Sequence, residues 1–239
     1  MPVFRSIVFS AALAGLIVGV VISIAQFFGT VPLIQQSEVY ERKAAGTPPA
    51  GHDHAAAASD QNKAHSHESE WEPEEGLQRN AFTVGANILT AIGFALLLTG
   101  VYAIRGRQVM WREGLLWGLA GFVVFTAAPG LGLPPELPGM AVAELTARQT
   151  WWIATAAATA AGLCLLAFRP AAWAAVLGLA LIALPHLIGA PLAPESHSEV
   201  PATLSHRFIV IVTLTSLLFW ALLGVATSLA FERISHPRP

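Results

Sequence analysis

Six apolar runs, each about as long as a lipid bilayer is thick and each empty of aspartate, glutamate, lysine and arginine, leave this chain few folds to choose from. In order they cover about residues 6–34, 81–104, 114–131, 150–168, 171–189 and 208–231. At 1.5 Å of rise per residue, about 20 apolar residues carry a helix across a hydrocarbon layer of about 30 Å. Inside that layer a helix satisfies its backbone polar groups internally. With 54% hydrophobic and only 12% charged residues, the chain cannot be held by water as one globular domain. The expected fold is an all-α integral membrane protein of about six transmembrane helices with one long, His-rich, largely disordered outer loop. The expected division is a first transmembrane helix over 1–37, an acidic His-rich extracytoplasmic loop over 38–79 and a membrane domain of five further helices over 80–239.

The first run follows Arg5 and is read as an uncleaved helix rather than a signal peptide, because the apolar stretch continues well past Ala12-Leu13-Ala14. Ala11, Gly15, Gly19 and Ser23 recur every four residues and form a small-residue stripe that lets another helix approach closely. Gly114 and Gly118 offer a second such face, and Ala154 to Ala161 a third small-residue surface. The segment Pro129 to Gly139 holds four prolines and cannot continue a helix, so it forms a rigid connection that presents Glu136. Arg169-Pro170 makes a tight turn, and Trp151-Trp152 anchor the start of a span at the interface. The hairpins 81–131 and 150–189, each ending in a proline-rich segment, have the outline of a faint internal repeat. Cys164 has no partner cysteine and reads as a small packing residue.

Residues 38–79 hold nine of the fifteen acidic residues and four of the eight histidines. This stretch has too little apolar surface to offset the entropy of ordering it. Within it, His52-Asp53-His54 and His65-Ser66-His67 each place two imidazoles at i and i+2, on one side of an extended chain. Asp53, Glu68 and Glu70 add oxygen, a donor mixture that suits cobalt, nickel, zinc or copper without choosing among them. His186, in Leu181 to Pro191, is the one imidazole inside an apolar run, five residues before Pro191. That spacing places it roughly 7–8 Å below a membrane surface, as a receiving ligand near a mouth or as a structural hydrogen-bond donor. Glu136, His197 and His206, with Glu195, complete a candidate second station.

With both termini placed in the cytoplasm, that side receives seven basic residues and the opposite short connections only Arg148 and Arg207. This count orients the chain N-in and C-in and puts the histidine-rich segment, Glu136 and the 195–206 segment outside. Phosphate-loop, His-Glu-x-x-His, Gly-x-Ser-x-Gly and Cys-x-x-Cys patterns are absent from the sequence, so no enzyme is expected. A formal charge of −2 gives no field for nucleic acid.

Several pieces in fixed order make this sequence resemble CbtA, a family of predicted cobalt transporter subunits. They are Ser37-Glu38-Val39-Tyr40-Glu41, the histidine-containing acidic stretch ending near Trp71 to Arg79, Gly118-Leu119-Ala120-Gly121-Phe122, and Leu133 to Gly139. Arg148-Gln149-Thr150-Trp151-Trp152 and Pro185 to Pro191 follow. The resemblance spans nearly the whole chain. It implies a membrane component of a divalent metal uptake system in the bacterial inner membrane, carrying cobalt for cobalamin supply. It also implies a small single-span CbtB-like partner with a histidine-containing tail and no tightly bound cofactor, and it carries over no binding residues. The metal ligands His52, His54, His65, His67, Glu136, His186, His197 and His206 are therefore read from the residues alone. The alternative from a different class is a membrane scaffold or assembly component that transports nothing itself.

Overall fold

The computed structural model describes residues 2–46, 76–194 and 198–235, and all regular structure among them is helical. The expected first helix is two: α1 (Pro2–Phe28) and α2 (Val31–Gly46). The break falls at Gly29-Thr30, where glycine weakens the helix and Pro32 two residues later lacks a backbone donor. Residues 38–46, expected in the loop, continue α2. Thereafter come α3 (Leu77–Arg105), α4 (Trp111–Phe122), a π turn (Val123–Ala127), the short α5 (Ala128–Gly132), α6 (Leu145–Phe168), α7 (Ala172–Ile188) and α8 (Ala202–Ser235).

Among the described residues, five spans are long and apolar enough to cross a membrane: α1, α3, the run from α4 through the π turn to α5, α6, and α8. The fifth apolar run forms α7, a shorter helix of 17 residues. Its N-terminus is delayed to Ala172 by Arg169-Pro170, and its C-terminus stops at Gly189, whose φ of 90° lies in the region that favours glycine. Other ends extend beyond the apolar runs because polar groups close them. Glu144 caps α6, its carboxylate accepting from the backbone N–H of Thr146 and Ala147 at 2.8 and 2.7 Å. Those bonds hold its carboxyl below the ordinary carboxylate range, so the cap is present near neutral pH and is lost as pH falls through that lowered value. Gly106, at φ 63°, ends α3 by donating to Tyr102 and Ala103 carbonyls.

The small-residue stripes are where the helices cross. A Cβ on Gly15 would stand 2.6 Å from the Ile92 backbone nitrogen, and one on Gly19 2.6 Å from Ile88 Cα, so α1 and α3 pack antiparallel, backbone to backbone. Gly114 and Gly118 of α4 meet Gly224 and the Trp220 carbonyl of α8 in the same way. Gly162 of α6 and Gly178 of α7 close onto each other. The helices α1, α3, α4 and α8 thus form one bundle around Val18, Ala91, Ala95, Tyr102 and Leu223. The α6–α7 pair is attached to it chiefly through the π turn and α5. Instead of a tightly packed α3–α4 hairpin, an apolar cavity of about 450 Å³ separates parts of the two helices.

Candidate translocation cavity

At one end of the bundle lie the end of α1, α2, the start of α3, the 133–144 connection and the start of α8. We call it the Glu38 end. Ser37 Oγ donates to the Pro138 carbonyl at 3.3 Å and Ser198 Oγ to the Gly139 carbonyl at 3.2 Å. Leu33, Leu137, Leu204 and Phe208 bury together beneath them. The proline-rich connection is thereby pinned onto α2 and α8.

A cavity of about 730 Å³ opens at this end between α1, α2, α3 and α8. Its mouth carries the ion pair Glu38–Arg79, with Arg79 Nη2 at 2.6 Å from Glu38 Oε1, and Arg42, whose Nε donates to the Glu38 carbonyl at 3.3 Å. Farther in, Gln26, Thr215 and Ser216 line both this cavity and a second one of about 220 Å³. The second chamber adds Asn87 and Thr90 from α3, Thr126 from the π turn and Trp152 from α6. Asn87 Nδ2 donates to Ser23 Oγ at 3.0 Å and to Gln26 Oε1 at 2.7 Å, which ties α1 to α3. Thr126 Oγ1 accepts from Trp220 Nε1 at 3.3 Å. Phe94, Phe125 and Trp220 form the boundary between this chamber and the apolar cavity, lining both. Phe94 lies 4.7 Å from Trp220 by ring centroids, and Phe125 stacks on Trp220 at 5.5 Å and 7°.

The expected metal ligands fall differently. His52, His54, His65, His67 and His197 lie outside the described residues. Glu136 is paired with Arg148, its Oε2 2.8 Å from Arg148 Nη2, so its charge is already neutralised. His186 is half-buried in the last turn of α7, its ring edge-on to Trp151 at 5.9 Å. Trp151 Nε1 donates to the Pro185 carbonyl at 3.3 Å, and the same indole packs against Gly132. His206 is exposed near the start of α8. Among the described residues, no three His, Cys, Asp or Glu side chains gather into a group that holds a metal.

The Glu136–Arg148 pair is a holding contact between the 133–144 connection and α6. Arg148→Gln is expected to lower stability by about 1 kcal/mol, the worth of a partly exposed charged hydrogen bond. Glu136→Gln added to it should cost little more, which thermal unfolding of the two variants in detergent measures.

The family described as probable cobalt transporter subunit (CbtA) matches residues 4–232. The chain belongs to the CbtA family. No curated protein matches it, and no solved structure does. The family is described as a probable cobalt transporter subunit, and the chain's long apolar helices are those of a multi-pass membrane protein. From the sequence, Gln26 at the far end of the first apolar run reads as an interfacial hydrogen bonder or as a group facing a cavity, whereas Asn87, Thr90, Thr126, Thr215 and Ser216 give no such reading. The signal for Asn87 is its position, a carboxamide well inside an otherwise apolar run.

Proposed function

We propose that this chain is the membrane path of a cobalt uptake system, with the Glu38 end facing outward and both termini in the cytoplasm of a bacterial inner membrane. The observation that carries this reading is the polar cavity, which leads from the Glu38 end into the spans of a CbtA-family chain. The 47–75 segment follows the end of α2 and returns at Gly76, itself part of the cavity wall. Its His52, His54, His65 and His67, with seven acidic residues against Lys63, gather the cation. That charge matters, because the mouth's own Glu38, Arg42 and Arg79 sum to a positive balance that attracts no cation. His186 and His206 are receiving groups at the same end, each taking the ion singly. A small single-span CbtB-like protein is the partner through which uptake is coupled.

The test is uptake of radiolabelled cobalt into proteoliposomes containing this chain, with and without that small partner. Saturable uptake is expected, and deletion of residues 49–69 should raise the half-saturating cobalt concentration severalfold. His186→Gln should lower uptake at limiting cobalt. An unchanged half-saturation removes capture from the 47–75 segment, and parental uptake by His186→Gln removes that residue. Absence of flux with either composition makes the chain a scaffold.

A further inference from the structure

Resting on that reading, we infer that the chamber between Asn87, Thr126 and Ser216 is an intramembrane station that takes a divalent cation with its water shell intact. Most hydroxyls in these helices bond the carbonyl one turn back: Ser23 to Gly19 at 2.8 Å, Thr99 to Ala95 at 2.8 Å, Thr155 to Trp151 at 2.8 Å and Thr213 to Ile209 at 2.7 Å. Thr90, Thr215 and Ser216 break this habit, as Ser10 and Thr159 do elsewhere in these helices. Among the described residues Thr90, Thr215 and Ser216 make no hydrogen bond, and all three line the chamber. A hydroxyl in lipid forgoes its local bond at a cost unless something else fills the space beside it.

The remaining groups point to the same occupant. Asn87 spends its amide donors on Ser23 and Gln26, which leaves its carbonyl oxygen as an acceptor at the chamber. Thr126 accepts from Trp220 and keeps its own proton and second lone pair. The wall is therefore rich in neutral oxygen acceptors, as the outward-pointing hydrogens of metal-bound water require. Carboxylate, imidazole and thiolate, the groups that displace such water, are absent from the described lining. At about 220 Å³ the chamber has room for several waters. Neutral acceptors hold a hydrated ion weakly enough to let it leave, the condition a transport path imposes.

The test uses hydroxyls whose removal breaks no bond. Thr215→Val with Ser216→Ala, in the full chain with its small partner in proteoliposomes, should reach the membrane in parental amount. Its maximal rate of cobalt uptake should fall about tenfold, with little change in half-saturation. Thr213→Val, which loses a hydroxyl bonded within its own helix, should transport at the parental rate. Asn87→His offers an inner-sphere ligand and should hold cobalt tightly, with a visible spectrum changed from that of the aqueous ion and slower turnover. Uptake by the Thr215/Ser216 variant within twofold of the parent overturns the station while leaving the transport reading intact. An unchanged aqueous-ion spectrum with Asn87→His also overturns it. Absence of uptake by the parental protein overturns the transport reading, and the station with it.

Discussion

Gly224→Val is expected to abolish the folded protein. A Cβ at this position would meet the Gly114 carbonyl and stand 2.9 Å from Gly118 Cα, so the added atoms press on backbone and not on a side chain that can swing away. Overpacking of a tight core costs about 1–3 kcal/mol, and a rigid backbone obstacle belongs at or above the upper figure. Since membrane helices gain their association from close van der Waals contact and not from leaving water, separating α4 from α8 removes most of what joins them. A loss of about 3 kcal/mol lowers the folded-to-unfolded ratio by more than a hundredfold, a large share of a marginal stability. The measurement is the amount of monodisperse protein recovered in mild detergent, together with its thermal midpoint. Gly93→Ala is the control, because nothing lies within 4 Å of a Cβ built there; it should be neutral or raise stability by up to about 1 kcal/mol.

Trp220→Ala has an expected effect nearly as large and of a different kind. Trp220 is 3% exposed, contacts Phe94, Phe125 and Phe219 through its ring, and fits against Gly121, which has no side chain to obstruct it. Truncating a buried tryptophan costs about 3–5 kcal/mol. The hole it leaves also joins the polar chamber to the apolar cavity, since this ring lines both. Vesicles carrying Trp220→Ala, held below its melting temperature, should dissipate a pH gradient faster than vesicles carrying the parent. Trp220→Phe keeps a ring in the barrier and loses the indole bond to Thr126, a cost of about 1 kcal/mol, and should stay tight. Equal leak rates for Trp220→Ala and the parent would deny the ring its sealing role.

The helix crossings are legible from residue spacing, because Ala11, Gly15, Gly19 and Ser23 mark one face of α1 whatever the rest of the chain does. Gly114 and Gly118 announce a close approach in the same manner, although which helix they meet is not written in their spacing. Gly224 lies about a hundred residues away, and glycine spacing names no partner. The chamber is hidden for the same reason. Gln26, Asn87, Thr126 and Ser216 come from separate stretches, and each alone looks like an ordinary polar residue in a span. What distinguishes Thr215 and Ser216 from Thr213 is whether the hydroxyl turns back on its own helix, which is decided by rotamer and neighbours and not by residue type. His186 stands out in the sequence because ionisable groups are costly in lipid. The structure instead gives that ring a place against Trp151 at the end of α7, while uncharged groups line the deeper chamber.

The π turn has a consequence of phase. Ala128 donates to the Val123 carbonyl five residues back, so this span winds one more residue into a turn than the α-helices around it. Everything from Ala128 to Gly132 is therefore rotated by about 100°, one residue's share of a turn, relative to an uninterrupted helix. Thr126 and Phe125 sit inside the inserted turn, one at the chamber and one in its aromatic boundary. If the wide turn migrated past them along the span, as a dislocation moves through a crystal, the hydroxyl and the ring would both turn by about 100° in the same sense without either end of the helix shifting. The span thus stores a rotation at the place where the polar path stops.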